Sequence, residues 1–300
     1  MARVFTYEDF TSGYSDLVNE IILTGERVSP RGQQTLELRN VTIEILNPRK
    51  SAPLGVNRKL PTKIVATEAI QLLAGVSDLR QLDAASNGNF TRFSDDGVVL
   101  AGAYGPRTHS QLANVVRTLR DDPDSRQAGA TIWHGHETDN PSKDVPCTLN
   151  LFFSIRNKKL EMSTYMRSND VWLGSAIDFP VFCQVQSSVA WALGVEIGSY
   201  THTAVSLHIY EQDIEAALKL TLPTSDEEIP FFTDGMLMPM TDDPVRRWLH
   251  LTDTALAVKS GMLDPLGREE GIKWFNNKLF DLDQYGYFCA DRYFRGGESK

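Results

Sequence analysis

Two segments of alternating polar and apolar residues constrain the fold more than any other feature of this sequence. Residues 148–155 and 160–166 place apolar side chains at about every second position, which is the period of a half-buried β-strand. The short connection RNKK leaves no room for a crossover, so the two strands are expected to be antiparallel neighbours. The sequence therefore predicts a β-hairpin with one face in the core.

Helix-like segments surround this hairpin without alternating regularly with the strands. Apolar residues recur at helical spacing in residues 10–22, 62–75, 110–120 and about 179–193. Residues 35–46 resemble a strand, and a further short strand is expected to end at Tyr210. This mixture predicts the α+β class, with a mixed or antiparallel sheet flanked by helices. No linker divides residues 1–300, so a single domain is expected.

Composition and charge exclude several classes of protein. The net charge is −9, whereas a protein that binds nucleic acid usually presents a basic face. No apolar run is long enough to span a bilayer, and the N-terminal sequence MARVFTYEDF is too polar for a secretory signal. Cys147, Cys183 and Cys289 lie far apart, without the paired spacing of a disulfide framework. We therefore expect a cytoplasmic protein with no nucleic-acid or membrane partner.

Cys147 follows Pro146 and opens the first strand of the hairpin. A lone cysteine is most often an inert thiol in the core, and that interpretation stays open here. Two features favour reactivity instead: Thr148 and Asn150 make the following positions polar, and arginines are plentiful nearby in the sequence. A neighbouring positive charge lowers the pKa of a thiol toward the reactive range. Cys147 is therefore a candidate nucleophile.

Two familiar uses of such a cysteine do not match the surrounding sequence. A cysteine hydrolase needs a histidine partner; His208 is available, but no hydrolase signature surrounds Cys147. A zinc-dependent deaminase needs His-x-Glu and Pro-Cys-x-x-Cys. The chain has HGHE at residues 134–137, with histidine in place of the glutamate, and Asn150 in place of the second cysteine. No metal site is expected.

Other polar residues have both a structural and a functional interpretation. Glu68 lies on the apolar stripe of an expected helix, where it is either salt-bridged or a carboxyl whose pKa is raised by burial and suits proton transfer. Arg167 either lies at the surface or binds a phosphate. His208 and Tyr210 share one face of a strand, and they either pack in the core or bind a sugar hydroxyl.

Four short motifs occur in an order and spacing that resemble one enzyme superfamily. They are DPDSR at residues 122–126, PC at the start of the hairpin, RSNDVWLG after its second strand, and HIY at residues 208–210. Together they resemble the thymidylate synthase superfamily, and the CT pair with MRSNDV is most similar to phage deoxycytidylate hydroxymethylases. The resemblance covers roughly Glu68 to Tyr210. It is close to absent after Asp213, so the C-terminal segment is expected to be divergent.

The resemblance implies a role for each matching residue. Cys147 would add to C6 of the pyrimidine, and Arg167 would bind the nucleotide phosphate close to the thiolate. Arg31 would complete the phosphate clamp, with Arg27 as the alternative, while Arg126 would reach the phosphate bound by a partner subunit. The remaining implied assignments are Ser168 to the phosphate, His208 and Tyr210 to the ribose 3′-hydroxyl, Glu68 to proton transfer through water, Tyr104 to removal of the C5 proton, and Asp170 with Gly174 to the folate.

Members of this superfamily are homodimers that dimerise through the sheet and share their active sites. They take a one-carbon unit from 5,10-methylenetetrahydrofolate. The resemblance therefore implies a thymidylate synthase-like fold, a nucleotide and a folate as small-molecule partners, and a second copy of this chain. The folate would be a co-substrate, and no metal would take part.

Two departures from the methyl-forming synthases indicate which reaction to expect. Thymidylate synthases have asparagine where this sequence has Asp178, and an ionised carboxylate only accepts hydrogen bonds. The carboxylate of Asp178 would therefore accept a hydrogen bond from the amino group at C4 of cytosine and would repel the carbonyl oxygen of uracil. A helix N-cap is the structural alternative for Asp178. Thr148 stands where methyl-forming synthases have histidine and phage hydroxymethylases have threonine, which favours water as the terminal nucleophile.

These departures predict an enzyme that converts dCMP to 5-hydroxymethyl-dCMP, with Asp178 as both a catalytic and a substrate-binding residue. Two alternatives of the same class stay open: a dCMP 5-methyltransferase that forms dihydrofolate, and a CMP hydroxymethylase of nucleoside biosynthesis. Ser168 and Arg126 match enzymes that act on deoxynucleotides, whereas Gln127 replaces a second family arginine. A catalytically silent nucleotide-binding relative is the alternative outside enzymes. A phage that modifies its DNA, with the enzyme in the host cytoplasm, and an antibiotic pathway both fit as sources.

Overall fold

The computed structural model describes residues 2–53, 62–75, 77, 79–86, 88–139 and 141–220. Within these residues, eight strands form one sheet. The strands are β1 (Arg3–Tyr7), β2 (Glu26–Val28), β3 (Thr35–Ile45), β4 (Gly129–Thr131), β5 (Thr148–Arg156), β6 (Lys159–Met166), β7 (Asn169–Asp170) and β8 (Glu196–Tyr210). The expected hairpin is formed by β5 and β6, which pair antiparallel. The final strand is fifteen residues long, so the expectation of a short strand is wrong.

The sheet mixes parallel and antiparallel neighbours. Its hydrogen-bonded order is β1-β3-β8-β6-β5-β4, with β2 beside β3 and β7 beside β8. The pairs β1/β3, β6/β8 and β7/β8 are parallel, while β2/β3, β3/β8, β4/β5 and β5/β6 are antiparallel. A mixed sheet with separate helices confirms the α+β class.

Six α-helices accompany the sheet in the described part of the chain. They are α1 (Phe10–Thr24), α2 (Thr62–Ala74), α3 (Leu79–Ser86), α4 (Tyr104–Asp121), α5 (Ser175–Leu193) and α6 (Glu211–Ala217). The sequence pattern did not indicate α3, and two expected helices begin earlier than the pattern predicted. In α4 the first turn holds a proline, which is tolerated there because its missing N–H would have no partner. The helix α5 starts at Ser175, three residues before Asp178, so Asp178 lies within its first turn.

Among the described residues, helices cover one face of the sheet, and the other face, here called the open face, carries exposed side chains. Along β6 the buried side chains are Leu160, Met162, Thr164 and Met166, whereas the residues between them are less buried. The covered face packs against α1, α4 and α5, and α5 is almost entirely buried. The open face carries Phe152, Tyr165 and Val205, which are 47%, 38% and 39% exposed.

The described helices include none with the length and apolar character needed to cross a membrane. The divergent C-terminal segment expected from the sequence lies outside the described residues from position 221 onward, and Cys289 lies there as well.

Candidate active site

The hairpin brings Cys147 and Arg167 together. Cys147 directly precedes β5 and Arg167 directly follows β6, and the backbone N–H of Arg167 donates to the carbonyl oxygen of Cys147 at 2.9 Å. The guanidinium of Arg167 donates to the carbonyl oxygens of Pro146 and Val145, both at 2.9 Å. It also lies over the ring of Trp133, 5.9 Å from the ring centroid. The predicted proximity of thiol and arginine is therefore confirmed.

Burial and charge act on the Cys147 thiol in opposite directions. Burial is the largest influence and raises its pKa, and the charges of Asp178 and Asp144 raise it further. The guanidinium groups of Arg167 and Arg31 lower it. The net effect of these influences is a raised thiol pKa, so the expectation that nearby arginines would lower it is wrong. Their effect is present, but burial outweighs it.

A break in the strand register follows Cys147 immediately. The pairing of β5 with β6 shifts between Thr148 and Asn150. The carbonyl oxygen of the intervening residue, Leu149, accepts from the backbone N–H groups of Ile132 and Trp133 at 2.8 and 3.0 Å. Irregularities of this kind re-aim side chains and are frequent beside active sites. Here the bulge separates the thiol from the regular part of the sheet.

Three carboxyl groups from separate parts of the chain line one cavity of about 190 Å³. Glu68 comes from α2, Asp178 from α5, and Asp144 from the loop before β5. Between them the walls are mostly apolar or aromatic. The other lining residues are Gln71, Leu72, Leu82, Phe90, Leu100, Gly102, Ala103, Tyr104, Gly105, Val181 and Phe182.

Burial raises the pKa of all three carboxyl groups. Burial is the main cause at Glu68, where the pKa reaches about 8, and the charges of Asp178 and Asp144 add to it. This direction agrees with the proton-transfer interpretation of Glu68 and is opposite to that of a salt-bridged glutamate. Burial likewise raises the pKa of Asp178 to about 7. Burial also raises the pKa of Asp144, whose Oδ2 accepts from the backbone N–H of Gly102 at 2.7 Å.

Asp178 does not cap the helix. The N-cap of α5 is Gly174, and the backbone N–H of Asp178 already donates to the carbonyl oxygen of Gly174 at 2.8 Å within the first turn. Its side chain instead accepts a hydrogen bond at Oδ2 from Nδ2 of Asn169 at 2.6 Å. The structural alternative for Asp178 is therefore wrong, and its carboxyl belongs to the cavity.

Tyr104 stands at the start of α4 and connects the cavity to the first residue of β5. Its hydroxyl oxygen accepts from the hydroxyl of Thr148 at 3.1 Å and from the backbone N–H of Thr148 at 3.3 Å. Its ring is nearly parallel to that of Phe182, with the centroids 6.3 Å apart. Burial, and then the charges of Cys147 and Asp178, raise the pKa of Tyr104. Tyr104 is therefore neutral and able to donate its proton.

The arginines expected to bind phosphate differ in their surroundings. Arg31 lies in a short 3-10 turn with φ of 54°, and its charge lowers the pKa of both Cys147 and His208. Arg27 forms an exposed ion pair with Glu211 at 2.7 Å. The structure therefore favours Arg31 over Arg27 near the thiol. Arg126 is exposed in the turn between α4 and β4.

Arg31 also lines a second, wider groove of about 630 Å³. Tyr210 contributes to the same groove, together with Arg92, Phe93 and Leu173. Two arginines and two aromatic rings in one groove suit an anionic ligand with a flat apolar part.

The strand β7 places several expected site residues beside the end of β8. Asp170 is paired with His208 in the parallel register of these strands, and the carboxylate of Asp170 accepts from the backbone N–H of Trp172 at 2.9 Å. The rings of His208 and Tyr210 meet edge to face, with centroids 5.3 Å apart, so the predicted shared face is confirmed. Burial lowers the pKa of His208, which is therefore neutral.

Ser168 and Gly174 flank this strand. Ser168 is half-buried and follows Arg167 directly. A side chain at Gly174 would begin 2.9 Å from the carbonyl oxygen of Asp170 and 3.3 Å from both Asn169 Nδ2 and Asp178 Oδ2. This close approach explains the glycine without assigning it a ligand contact.

One group of candidate metal ligands occurs among the described residues. His134, His136 and Glu137 have ligand atoms within 4.8 Å of one another. Both histidines are exposed, however, and the buried carboxylate of Glu137 already forms an ion pair with Arg107. The charge that would attract a cation is thus neutralised inside the protein.

Sequence reasoning missed two residues of this site. Asn169 lies inside the RSND motif but received no role, and Asp144 precedes Pro-Cys by two positions. Their polarity in an otherwise apolar region was the only available signal. The contact of Asp144 with Gly102 joins distant parts of the sequence, and that of Asn169 with Asp178 joins a strand to the following helix, so neither follows from the period of a single element.

Comparison with known proteins gives two kinds of match. The family model described as thymidylate synthase matches residues 12–233, so the match includes most of the first sixty residues. A protein of Bacillus phage SP01 named deoxyuridylate hydroxymethyltransferase is 35% identical over 226 residues, which cover 69% of this chain and 59% of that protein. The matched part thus spans less than two thirds of the relative. Thymidylate synthase of Buchnera aphidicola subsp. Schizaphis graminum (strain Sg) is 26% identical over 220 residues, covering 70% and 83%.

Proposed function

The chain belongs to the thymidylate synthase family, and we propose that it is a folate-dependent hydroxymethylase that converts dCMP to 5-hydroxymethyl-dCMP in one catalytic domain. The observation that carries this proposal is the position of Asp178. Its carboxyl lines the same cavity as Glu68 and Tyr104, while its charge is close enough to raise the pKa of the Cys147 thiol. A pyrimidine beside that thiol would therefore meet a carboxylate.

The chemistry of this carboxylate supports cytosine as the base. An ionised carboxylate offers acceptors only, and cytosine presents an amino donor at C4 where uracil presents a carbonyl acceptor. A mispaired buried polar group costs about 1–3 kcal/mol, which is enough to select one base. Asp178 is held in place by Asn169 and does not cap a helix, so it is available for this role.

The phosphate and the sugar have matching partners near the thiol. Arg167 presents its guanidinium beside Cys147, and Arg31 acts on the same thiol from the adjacent turn. Arginine binds phosphate through paired, charge-assisted hydrogen bonds. The neutral ring of His208 and the hydroxyl of Tyr210 suit the 3′-hydroxyl of the sugar, and Ser168 suits the phosphate. A bound phosphate would itself be drawn between the two arginines.

Covalent catalysis explains why a thiol lies at this point. The sulfur of Cys147 forms a bond to C6 of the pyrimidine, and the electron pair of the C5–C6 double bond moves to C5, which becomes nucleophilic. Glu68, neutral near pH 7, is suited to pass a proton to the ring and take it back. Tyr104 lies within the same cavity and is suited to assist the loss of the C5 proton.

The cavity also fits the ring system of a reduced folate. Its apolar walls, including Leu82, Val181 and Phe182, suit the flat ring, and its carboxyl oxygens suit the ring N–H groups. When bound, methylenetetrahydrofolate supplies the one-carbon unit. Asp170 and Gly174, beside the cavity, are the residues that we propose to hold its ring. No metal enters this proposal.

The final step distinguishes a hydroxymethyl product from a methyl product. Once C5 has bonded to the one-carbon unit and lost its proton, departure of tetrahydrofolate would leave an exocyclic methylene group at C5. Water adds to the methylene carbon and gives up a proton, and the electron pair of the exocyclic double bond moves to the C5–C6 bond. The C6–S bond then breaks and returns its electron pair to Cys147. The buried hydroxyl of Thr148 donates to Tyr104. A polar contact at this position supports ordered water near the reacting carbon, which is why we propose water as the nucleophile.

We further propose that the open face of the sheet is covered by a second copy of the chain. Phe152, Tyr165 and Val205 are large apolar or aromatic side chains on neighbouring strands, and such exposed faces commonly mark interfaces. A twofold axis would let the same face of each copy cover the other. Arg126, exposed at the end of α4, would then reach the phosphate in the partner's site.

The relative from Bacillus phage SP01 supports a second candidate, a deoxyuridylate hydroxymethylase. That candidate retains Cys147, Arg167 and the terminal water but needs a neutral or displaced Asp178. The two candidates differ in one measurable property, the nucleotide that is consumed.

The experiment that tests the proposal is product analysis by mass spectrometry. Purified protein is incubated with methylenetetrahydrofolate and with dCMP, dUMP or CMP in parallel, and dihydrofolate is followed by absorbance. Hydroxymethylated dCMP without dihydrofolate is the expected result. Methylated dCMP with dihydrofolate would overturn the role of water. Hydroxymethylated dUMP as the product, with dCMP unchanged, would support the second candidate, and methylated dUMP with dihydrofolate would overturn both.

Subunit complementation tests the shared site. Cys147→Ala and Arg126→Ala proteins are each expected to be inactive or nearly so. After the two are mixed, unfolded and refolded, mixed dimers hold one intact site, so activity should return to about a quarter of the wild-type value. A mixture that stays inactive while wild-type protein refolds to full activity would contradict the shared site.

A further inference from the structure

Asn169 forms side-chain hydrogen bonds with two residues of α5, Asp178 and Ser175. The side chain of Asn169 is buried, at 2% exposure, and its Nδ2 donates to Asp178 Oδ2 at 2.6 Å. Its Oδ1 accepts a short hydrogen bond from the hydroxyl of Ser175, which is fully buried at the start of α5. In this arrangement the amide oxygen faces Ser175 and the amide nitrogen faces the carboxyl oxygen of Asp178.

The Asn169–Asp178 pair lies close against the backbone at the start of α5. A Cβ atom at position 174 would lie 3.3 Å from both Asn169 Nδ2 and Asp178 Oδ2, so glycine is needed where the pair passes the helix start. Asn169 itself belongs to β7, paired in register with Leu207 of β8. The donor is therefore fixed by the sheet, and the acceptor by the helix.

We propose that Asn169, oriented by Ser175, is the positioning residue that sets base selectivity: it occupies Oδ2 of Asp178 and leaves Oδ1 as the acceptor for the amino group of a cytosine nucleotide. This role deepens the proposed function and rests on it. Asn169 does not touch the base; it acts through Asp178.

The electrostatics of the cavity explain why such a residue is needed. Burial raises the pKa of Asp178 to about 7, and the hydrogen bond from Asn169 opposes that rise. A neutral carboxylic acid carries a proton that it can donate to the carbonyl oxygen of uracil. The neutral form of Asp178 would therefore allow uracil to bind as well as cytosine. The titratable groups that face Asp178 from the surrounding elements are Glu68, Tyr104, Asp144, Cys147, Asp170 and Tyr200. None of them is a fixed cation, so Asn169 is the group that favours the ionised form.

Nucleotide binding by calorimetry across neutral pH tests this role without any chemical step. Wild type is compared with Asn169→Leu, Ser175→Ala and the control Asn114→Leu, which changes an exposed residue of α4. For N169L we expect dCMP affinity near pH 7 to fall about tenfold to a hundredfold, because a hydrogen bond to a charged group is lost. The ratio of the affinities for dCMP and dUMP should become smaller in N169L. The midpoint of the pH dependence of dCMP binding should move to higher pH. For S175A we expect a smaller change in the same direction, and for N114L no change.

The outcomes separate this inference from the proposed function. A wild-type preference for dUMP would overturn the proposed substrate, and with it this role of Asn169. A wild-type preference for dCMP that N169L retains, with an unmoved pH midpoint, would overturn the role of Asn169 alone. If Asn169 had a purely structural role, N169L would bind both nucleotides more weakly by the same factor, and the pH midpoint of dCMP binding would not move. Should N169L not fold, the midpoint measured for S175A decides the question in the same way.

Discussion

The hydroxyl of Thr148 donates to the hydroxyl of Tyr104 at 3.1 Å, and the backbone N–H of Thr148 donates to the same oxygen at 3.3 Å. A phenol oxygen that accepts two hydrogen bonds directs its own proton elsewhere, and Tyr104 lines the cavity. Thr148 is fully buried, so it acts on the cavity through Tyr104. Thr148, which supports the proposal of water as the terminal nucleophile, is therefore coupled to a residue of the cavity.

Thr148→Val should reveal this coupling in a double-mutant cycle with Tyr104→Phe. Valine keeps the volume and the backbone donor but removes the hydroxyl, so we expect turnover of dCMP to fall about fivefold, the equivalent of one hydrogen bond. In the Y104F background the same change should cost less than about twofold, because the acceptor is already absent. Equal losses in both backgrounds would show that Thr148 acts independently of Tyr104.

Glu68 should make the stability of the protein depend on pH. Its pKa is raised to about 8 in the folded state, so the folded chain keeps a proton that the unfolded chain releases above its ordinary pKa of 4.5. The wild type therefore loses stability as pH rises from about 5 to about 8. Glutamine does not titrate, so the stability of Glu68→Gln relative to wild type should increase over the same range, while its activity falls.

Urea unfolding near pH 5 and near pH 8 measures this difference. The control is Glu215→Gln, because Glu215 is exposed and pairs only with the neighbouring Lys219 among the contacts described for it. For this variant the difference from wild type should be nearly constant with pH. A constant or shrinking difference for E68Q would mean that Glu68 is ionised in the folded protein.

Arg167 should control the reactivity of the Cys147 thiol. Its guanidinium lowers the pKa of a thiol that burial otherwise raises, so Arg167→Ala should slow alkylation of Cys147 near neutral pH. Site-resolved mass spectrometry after iodoacetamide treatment measures the rate. Arg167→Lys keeps the charge but not both hydrogen bonds to the carbonyls before Cys147. Its rate of Cys147 alkylation should lie between those of the wild type and Arg167→Ala. Arg156→Ala, at the far end of the same hairpin, is the matched control and should leave the rate unchanged.

The proposed phosphate clamp gives a paired comparison between Arg31 in the 3-10 turn and Arg27 in β2. Arg31→Ala should raise the KM for dCMP about tenfold to a hundredfold, because Arg31 is the arginine whose charge reaches Cys147 and His208. Arg27→Ala removes an exposed ion pair with Glu211 and should leave KM within about twofold. Steady-state kinetics with dCMP decide between them, and a larger effect from R27A would reverse the assignment.

Local pattern and short-range geometry account for what the sequence could predict. The β5–β6 hairpin follows from alternation and a tight turn, and a hairpin necessarily places Cys147 beside Arg167. The raised pKa of Glu68 was anticipated as one of two alternatives. The pairing of Asn169 with Asp178 depends on how β7 meets the following helix, and the convergence of Asp144 on the same cavity depends on packing between distant segments. No local period encodes either contact. The start of α5 was misplaced for a related reason: its first residues serve the site, so their polarity hides the helix.

Asp178→Asn is the most direct test of base selection. An amide offers one donor and one acceptor, so it should pair with the carbonyl and N–H of uracil, whereas its donor would meet the amino group of cytosine where the carboxylate offered an acceptor. We expect kcat/KM for dCMP to fall and that for dUMP to rise, changing their ratio by about a hundredfold or more, since two mispairings of about 1–3 kcal/mol are exchanged. The amide also removes a group whose pKa is about 7, so the acid limb of the pH profile for dCMP binding should disappear. Loss of activity on both nucleotides with an unchanged ratio would show that Asp178 supports catalysis without reading the base.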